Sequence, residues 1–542
     1  QLFIKNLDVK RINKSTWHWI LTKRKEFDIN ADQFCQIALA SKQWSYVGKG
    51  RSYNIGINTR NCDEYVKEAL WAFSPAVYES VRGYTKLARP SRAYVSLLKY
   101  CAPVKYQAWI DPVEKDLYVD NLNKIRHCFS KVETQNVFQA AEKLNMTSSA
   151  GYNYPGMTKL QALPDARKKA LDMYVRLCKG SKVQHIPYKL GMRGHVSPIE
   201  ENKTRPIWVG AIETNILENM LFKELYVQLF KREDLKQKFI TGKGAMGRLF
   251  EYMNDVSDEN LFMHTDASGY DSFRARFVLN DVFSILKSLI KFKPGEENVF
   301  EFLREDFIYS HICLPNGVIL KKHSGVPSGS FLTLLVNSLA NYVMQHTVLK
   351  LLPINVVATR TLGDDFSVKF FSTEKNFEQD DLLADYSEIC DELFALSINV
   401  QKTRVSDRKE DRKFIGYSIR EGRLYREADD WFKMVLYSEH VVLDISTSFS
   451  RMLAAYLVGG CSCVEFSNFF SLYIGGYYEF LKQQGTGLVD DKAFLTGSMK
   501  MFRTIHTMDL SFFSGMDIDR FRQVILSRIP YLLLYDMPLI SL

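Results

Sequence analysis

Along the middle of the chain the apolar residues gather in short runs broken by turn residues. Residues 261–266 (LFMHTD) read as a buried strand ending on a carboxylate, and residues 355–370 (NVVATRTLGDDFSVKF) as two strands about a tight Gly-Asp turn. Between them, residues 331–349 carry no full charge and set Thr333, Asn337, Asn341 and Gln345 at four-residue intervals. That spacing predicts a helix with one polar stripe, facing a polar site rather than spanning a membrane. The segment is entered through SGVPSGS, which is loop chemistry. Residues 214–232 and 382–396 are helical in pattern, with Thr214 as the expected N-cap of the first. Residues 413–426 alternate around Glu421-Gly422 as a hairpin would. The last hundred residues are helix-like, apolar and aromatic, and the first hundred mix short patterns to which no task is assigned.

Composition narrows the class. A chain of 542 residues with 46% hydrophobic content can bury a large core, on the scale of roughly three or four domain-sized units. No repeat, low-complexity run or Pro-rich linker separates such units. Lysine and arginine (71) exceed aspartate and glutamate (62), giving a net charge of +9 that suits an anionic partner. Nine cysteines are scattered without zinc-site spacing and read as reduced, mostly buried thiols of an intracellular protein. The N-terminal QLFIKNLDVKRINK lacks a signal-peptide layout and an initiator Met, so the chain reads as trimmed.

Candidate chemistry lies in acidic and polar clusters. TDASGYD holds Asp266 and Asp271, and LGDD sets Asp364 beside Asp365. Neighbouring aspartates repel one another and persist where a cation or solvent compensates them, and a hard cation such as magnesium suits carboxylates at strand ends. If the strands are neighbours, Asp266 and Asp364 converge, and two ions about 3.5–4 Å apart would serve an in-line phosphoryl transfer. Taken singly, each cluster is equally a turn cap. Ser328, Gly329, Thr333 and Asn337 form SGxxxTxxxN after Gly325 and Pro327, a close-approach glycine followed by two polar groups on one helical face. A basic stretch holds Lys182, Lys189, Arg193, Lys203 and Arg205, and a Ser/Gly/Tyr/Pro loop spans residues 147–156.

Taken together and in order, DASGYD, SGVPSGSFLTLLVN and LGDD resemble motifs A, B and C of viral RNA-dependent RNA polymerases of the picornavirus-like supergroup. SSAGYNYPG resembles the template-guiding motif G and NKTRPI the triphosphate-holding motif F, the flavour of SGVPSGS being most like the picobirnavirus and partitivirus group of double-stranded RNA viruses. The resemblance covers residues 148–425, about half the chain. It implies Asp266, Asp364 and Asp365 as metal ligands and catalytic groups, with Mg2+ as cofactor and Mn2+ able to substitute. Lys203 and Arg205 would bind the triphosphate. Asp271, Ser328, Gly329, Thr333 and Asn337 would hold the ribonucleotide, and Ser148, Ser149, Gly151 and Tyr152 the template. Lys402, in SINVQKTRV, stands where motif D places a lysine that protonates pyrophosphate, a surface lysine being the plain alternative. KFIGYSIREGRLYR resembles the primer-supporting motif E.

The fold implied is α+β, the right-hand polymerase architecture with a small antiparallel palm sheet and α-rich fingers and thumb. Residues 1–100 would bridge fingers and thumb, 101–212 and 273–322 form the fingers, 213–272 and 323–430 the palm, and 431–542 the thumb and tail. Partners would be template and product RNA, ribonucleoside triphosphates and a candidate capsid protein, in the virion interior or the host cytoplasm, with no membrane span. A reverse transcriptase shares the palm carboxylates but would favour an aromatic gate after the first aspartate and a hydrophobic residue where Gly363 stands. A non-catalytic RNA-binding viral protein and a nucleotide cyclase are further alternatives. The apolar end, residues 530–542, is a thumb-packing tail or a regulator folded toward the site.

Overall fold

The computed structural model describes residues 20, 22–23, 28–56, 62–107, 109, 111–142, 144–255, 260–374, 378–439, 441–483, 516–527 and 535. Its centre is a four-stranded antiparallel sheet ordered Ile354–Leu362, Asp365–Ser372, Leu261–Thr265, Arg404–Ser406. Phe366, Ser367, Val368, Lys369 and Phe370 are buried in succession, because the Asp365–Ser372 strand lies inside the sheet with both faces covered. That is why its sequence does not alternate. Lys369 survives there by pairing with Asp255 at 3.1 Å. The helix Thr333–Leu351 packs on the sheet, and Gln379–Phe394 lies against that helix.

The expected helices and hairpins form with small shifts. The helix expected at 331–349 begins two residues later, since the N–H of Thr333 bonds the Ser330 carbonyl in the preceding turn. The hairpin is Ser418–Arg420 with Arg423–Tyr425, turning through Glu421 and Gly422, both at positive φ. Thr214 is not a cap. Its helix runs Ile212–Lys231, and the Ile212 N–H is satisfied by the Ala150 carbonyl at 3.0 Å, so the helix starts earlier without a side-chain cap.

The region before and between the central segments carries the helices Pro112–Cys128, Lys159–Cys178, Arg276–Leu289 and Glu296–Ile308, and beside them a sheet that the sequence pattern did not suggest. The largest sheet lies there, five strands ordered Trp44–Lys49, Val318–Lys322, His311–Cys313, Tyr188–Gly194, Thr204–Val209. Its core stacks Trp44 on Trp208 at 6.1 Å and tilts Tyr100 against Trp208 at 5.6 Å. The first hundred residues thus gain a structural task. Trp44–Lys49 enters this sheet, while Asp63, N-cap of the helix Glu64–Phe73, pairs with Arg451 on the helix Ile445–Leu457. All nine cysteines are free thiols. No described helix is long and apolar enough to cross a membrane. The segment 530–542 falls outside the described residues except Tyr535, whose carbonyl accepts the Gly247 N–H at 3.0 Å.

Candidate active site

The site begins at a two-residue turn. Leu362 pairs with Asp365, leaving Gly363 and Asp364 to reverse the chain, and Gly363 takes φ +58. Positive φ at the first turn position fits a hairpin connection that glycine supplies without strain. Asp364 projects at the tip. In the adjoining pair of strands Phe366 lies opposite Thr265, so one step further Asp365 faces Asp266. On the other side of Leu261–Thr265, Arg404 pairs with His264, and the same register carries Lys402 toward Asp266. Its Nζ stands 3.8 Å from Asp266 Oδ2. Asp266 is fixed through its backbone, donating to Thr403 Oγ1 at 3.1 Å and accepting from the Asn399 N–H at 2.8 Å.

The helix Thr333–Leu351 bolts this turn down with its polar stripe. Asn341 Nδ2 donates to the Gly363 carbonyl at 3.0 Å, and the Gly363 N–H donates to Ser338 Oγ at 2.9 Å. One turn earlier, Asn337 Nδ2 donates to Asp271 Oδ1 at 3.2 Å. Gln345 accepts from the Tyr386 hydroxyl at 2.5 Å. The Thr333 hydroxyl donates to the Pro327 carbonyl at 2.6 Å and so ties the start of the helix to the loop before it.

That loop packs against the strand Thr204–Val209. Ser328 Oγ accepts the Trp208 N–H at 3.2 Å. Gly329 passes so close that a Cβ there would lie 1.7 Å from the Trp208 carbonyl oxygen. Arg205 on this strand and Lys203 just ahead of it are exposed while Thr204 between them is buried, the two-residue alternation that sends both cations to one face. The loop at 148–152 is anchored nearby, with Ala150 bonded to Ile212 and Gly151 buried against Gly210 and Ala211. Ser149 is exposed, Ser148 and Tyr152 are half-buried, and the Tyr152 hydroxyl reaches Gly50.

Electrostatics tie these pieces into one field. Burial, then Asp364 and Asp266, push the Asp365 carboxyl up to about 7. Burial and Asp364 push Asp271 up to about 6, against the pull of Asn337, Arg205 and Lys99. The walls of the cleft also raise Asp364, with Arg205 opposing and Asp266 reinforcing. Partial desolvation, then Arg205 and Lys402, hold the Lys203 ammonium below its ordinary value. Partial desolvation, then Arg205, Lys203 and Arg193, push half-buried His195 down to about 3, so it stays neutral. Lys203 thus stands within electrostatic reach of Asp266, and Arg205 within reach of Asp271, Asp364 and Asp365. Among the described residues no three His, Cys, Asp or Glu side chains already meet as a preformed metal cage. The crowding of carboxylates nonetheless fits a divalent cation, which would relieve the repulsion that raises their pKa values.

Sequence reasoning missed Ser338, one position off the stripe it followed, and Lys99, close enough to Gly269 that a Cβ there would lie 2.8 Å from its Nζ. It also missed Glu218, one of two buried glutamates on the helix Ile212–Lys231, which nothing in the local pattern sets apart from Glu213.

Residues 62–473 match the family model described as viral RNA-dependent RNA polymerase. The chain is 26% identical over 294 residues to the RNA-directed RNA polymerase of Cryptosporidium parvum virus 1, covering 52% of this chain and 54% of that protein. It is 24% identical over 257 residues to the RNA-directed RNA polymerase of White clover cryptic virus 1, covering 42% and 41%. The chain spans about half the length of these curated relatives. A crystal structure of the RNA-dependent RNA polymerase of a human picobirnavirus superposes over 90% of this chain and 95% of that one, with a TM-score of 0.59 at 15% identity, a likeness of fold.

Proposed function

As this chain belongs to the viral RNA-dependent RNA polymerases, we propose that it copies an RNA template into RNA, joining ribonucleoside triphosphates by two-metal nucleotidyl transfer. The observation that carries this reading is the meeting of Asp266, Asp364 and Asp365 at one end of a sheet, opposite Lys203 and Arg205 and beside the Asp271–Asn337 pair. In this reading the central sheet is the palm, the five-stranded sheet with its helices the fingers, and the C-terminal helices the thumb. The N-terminal segment would join the last two.

Asp266 and Asp364 would hold magnesium, Asp365 supporting them, with manganese able to stand in. When bound, such a pair of ions supplies charge neutralisation at the attacking and leaving oxygens. Everything else falls to the chain. Arg205 and Lys203 bind the triphosphate, the planar guanidinium matching paired phosphate oxygens. Asp271, Asn337 and Ser328 read the ribose hydroxyls. The Asn337 side-chain Oδ1 is buried without a hydrogen-bond partner, and a ribose hydroxyl would satisfy it. Gly329 gives the loop its close approach, and Thr333, tied to the Pro327 carbonyl, joins these residues in holding the nucleotide. Lys402, largely exposed and beside Asp266, is set to protonate the departing pyrophosphate. Ser148, Ser149, Gly151 and Tyr152 line the template path.

The test is incorporation of labelled UTP on a single-stranded RNA template, with magnesium present and then chelated. Template-dependent synthesis that stops on chelation supports the reading. RNA binding without synthesis under both conditions would favour a non-catalytic RNA-binding protein.

A further inference from the structure

The helix Ile212–Lys231 is buried along most of its length, yet it carries the carboxylate Glu218 at 1% exposure. Three donors converge on that carboxylate. The Ser330 hydroxyl donates to Oε1, and the Phe331 N–H and Asn215 Nδ2 each donate to Oε2 at 3.0 Å. Ser330 Oγ also accepts the Leu332 N–H at 3.1 Å. Glu218 therefore satisfies, directly or through Ser330, backbone donors that lead into the helix Thr333–Leu351 and that its own ladder leaves open. A carboxylate is favoured at this end by the helix dipole.

Two turns further along the same helix, Tyr226 completes the brace. Its hydroxyl donates to the Phe331 carbonyl at 2.5 Å and accepts the Leu335 N–H at 3.1 Å. The other end of the loop is held by buried Lys322, which donates to the Gly325 carbonyl at 2.8 Å and to the carbonyls of Phe307 and Ile308. Buried charged side chains thus grip both ends of the loop, and Ser328 and Gly329 lie between the grips.

From this bracing we infer that Glu218 is a positioning residue: through Ser330 and the Phe331 amide it seats the turn that presents Ser328 and Gly329 beside the incoming nucleotide. The inference rests on the assignment of Ser328 and Asn337 to the ribose. Ionised, the carboxylate accepts from all three donors, whereas a glutamine, or the same carboxyl once protonated, turns a donor of its own against one of them. The helix Ile212–Lys231 also starts at the Ala150 anchor and follows the strand that bears Arg205, with Lys203 just ahead of it. One element thereby sets the loops for template, triphosphate and ribose relative to one another.

The experiment compares S330A, E218Q, the double variant and N337A as full-length chains, measuring kcat and KM for UTP, the preference for UTP over dTTP, and thermal melting. S330A should melt within a few degrees of wild type, raise KM for UTP roughly fivefold to tenfold with a smaller change in kcat, and lower the UTP preference by a similar factor. The double variant should be no worse than E218Q, because the pair acts as a unit. Wild-type KM and preference in S330A, or additive losses in the double variant, overturn the inference. Should E218Q fail to fold, S330A decides on the same readouts. A changed S330A beside an N337A with unaltered preference would remove Asn337 from ribose reading and leave the positioning role. A changed N337A beside an unaltered S330A would do the reverse.

Discussion

Gly329→Ala is the sharpest perturbation of the nucleotide site, because its consequence follows from one distance. The added methyl would sit 1.7 Å from the Trp208 carbonyl oxygen and 2.8 Å from its carbon, where ordinary contact begins at 3.4 Å. The two backbones must separate by about 1.7 Å, half the ordinary contact distance. Trp208 cannot give way easily. It is fully buried, stacked on Trp44, with the Lys322 ammonium 5.9 Å from its ring. The loop must move instead, taking Ser328 off the Trp208 N–H. Overpacking of this kind costs about 1–3 kcal/mol of stability, whereas a misplacement near 1 Å at a reacting site costs roughly 100-fold in rate. The kinetic effect should dominate. Steady-state UTP incorporation should show kcat/KM down roughly 100-fold in a protein that still melts cooperatively. Gly210→Ala presses the same interface from the opposite side but meets the Gly329 carbonyl only at 3.0 Å, so its loss should be within about tenfold. A Gly329→Ala enzyme with wild-type kcat/KM, or a Gly210→Ala enzyme that is the worse of the two, refutes the reasoning.

Arg205→Ala should raise KM for UTP roughly tenfold without changing the melting temperature, as expected for an exposed charge-assisted contact; an unchanged KM counts against triphosphate binding. Asp63→Asn should lower stability in urea by about 3 kcal/mol, because it strands buried Arg451, which now bonds Asp63 at 2.5 Å; a loss under about 1 kcal/mol would show the clasp to be incidental. Glu218 gives a pH dependence with a definite sign. Burial, with Asp306 reinforcing it, raises the folded carboxyl from 4.5 to about 7, against the pull of Ser330, Asn215 and the Phe331 amide. Its contribution to stability is therefore fully present below about pH 4.5 and is lost as pH rises to about 7, by up to roughly 3 kcal/mol relative to Glu218→Gln. A flat difference between the two proteins over that window would contradict the assignment.

The sequence was most legible where local chemistry dictates geometry. The Gly363-Asp364 turn, the four-residue stripe from Thr333 to Gln345 and the Glu421-Gly422 hairpin each rest on residues close together in the chain, and each forms. The five-stranded sheet was not legible, because Trp44–Lys49 pairs with Val318–Lys322 across some 270 residues and nothing local specifies that partner. Thr214 misled for a similar reason. The helix it was expected to open starts two residues earlier, where the Ala150 carbonyl of a distant loop accepts the Ile212 N–H. The bond from the Thr333 hydroxyl to Pro327 was not legible, since a helical wheel locates a face and leaves its bonds open. Glu218 stayed hidden because its meaning depends on Ser330, more than a hundred residues away.

The central claim is that Asp364, exposed at the tip of its turn, works with Asp266 and Asp365 on a divalent cation. The most direct measurement is templated UTP incorporation by Asp364→Asn in magnesium, paired with a filter-binding assay on the same single-stranded RNA. The substitution keeps the shape and removes the charge, so synthesis should vanish while RNA affinity stays within about threefold of wild type. Sustained synthesis by Asp364→Asn would contradict the account.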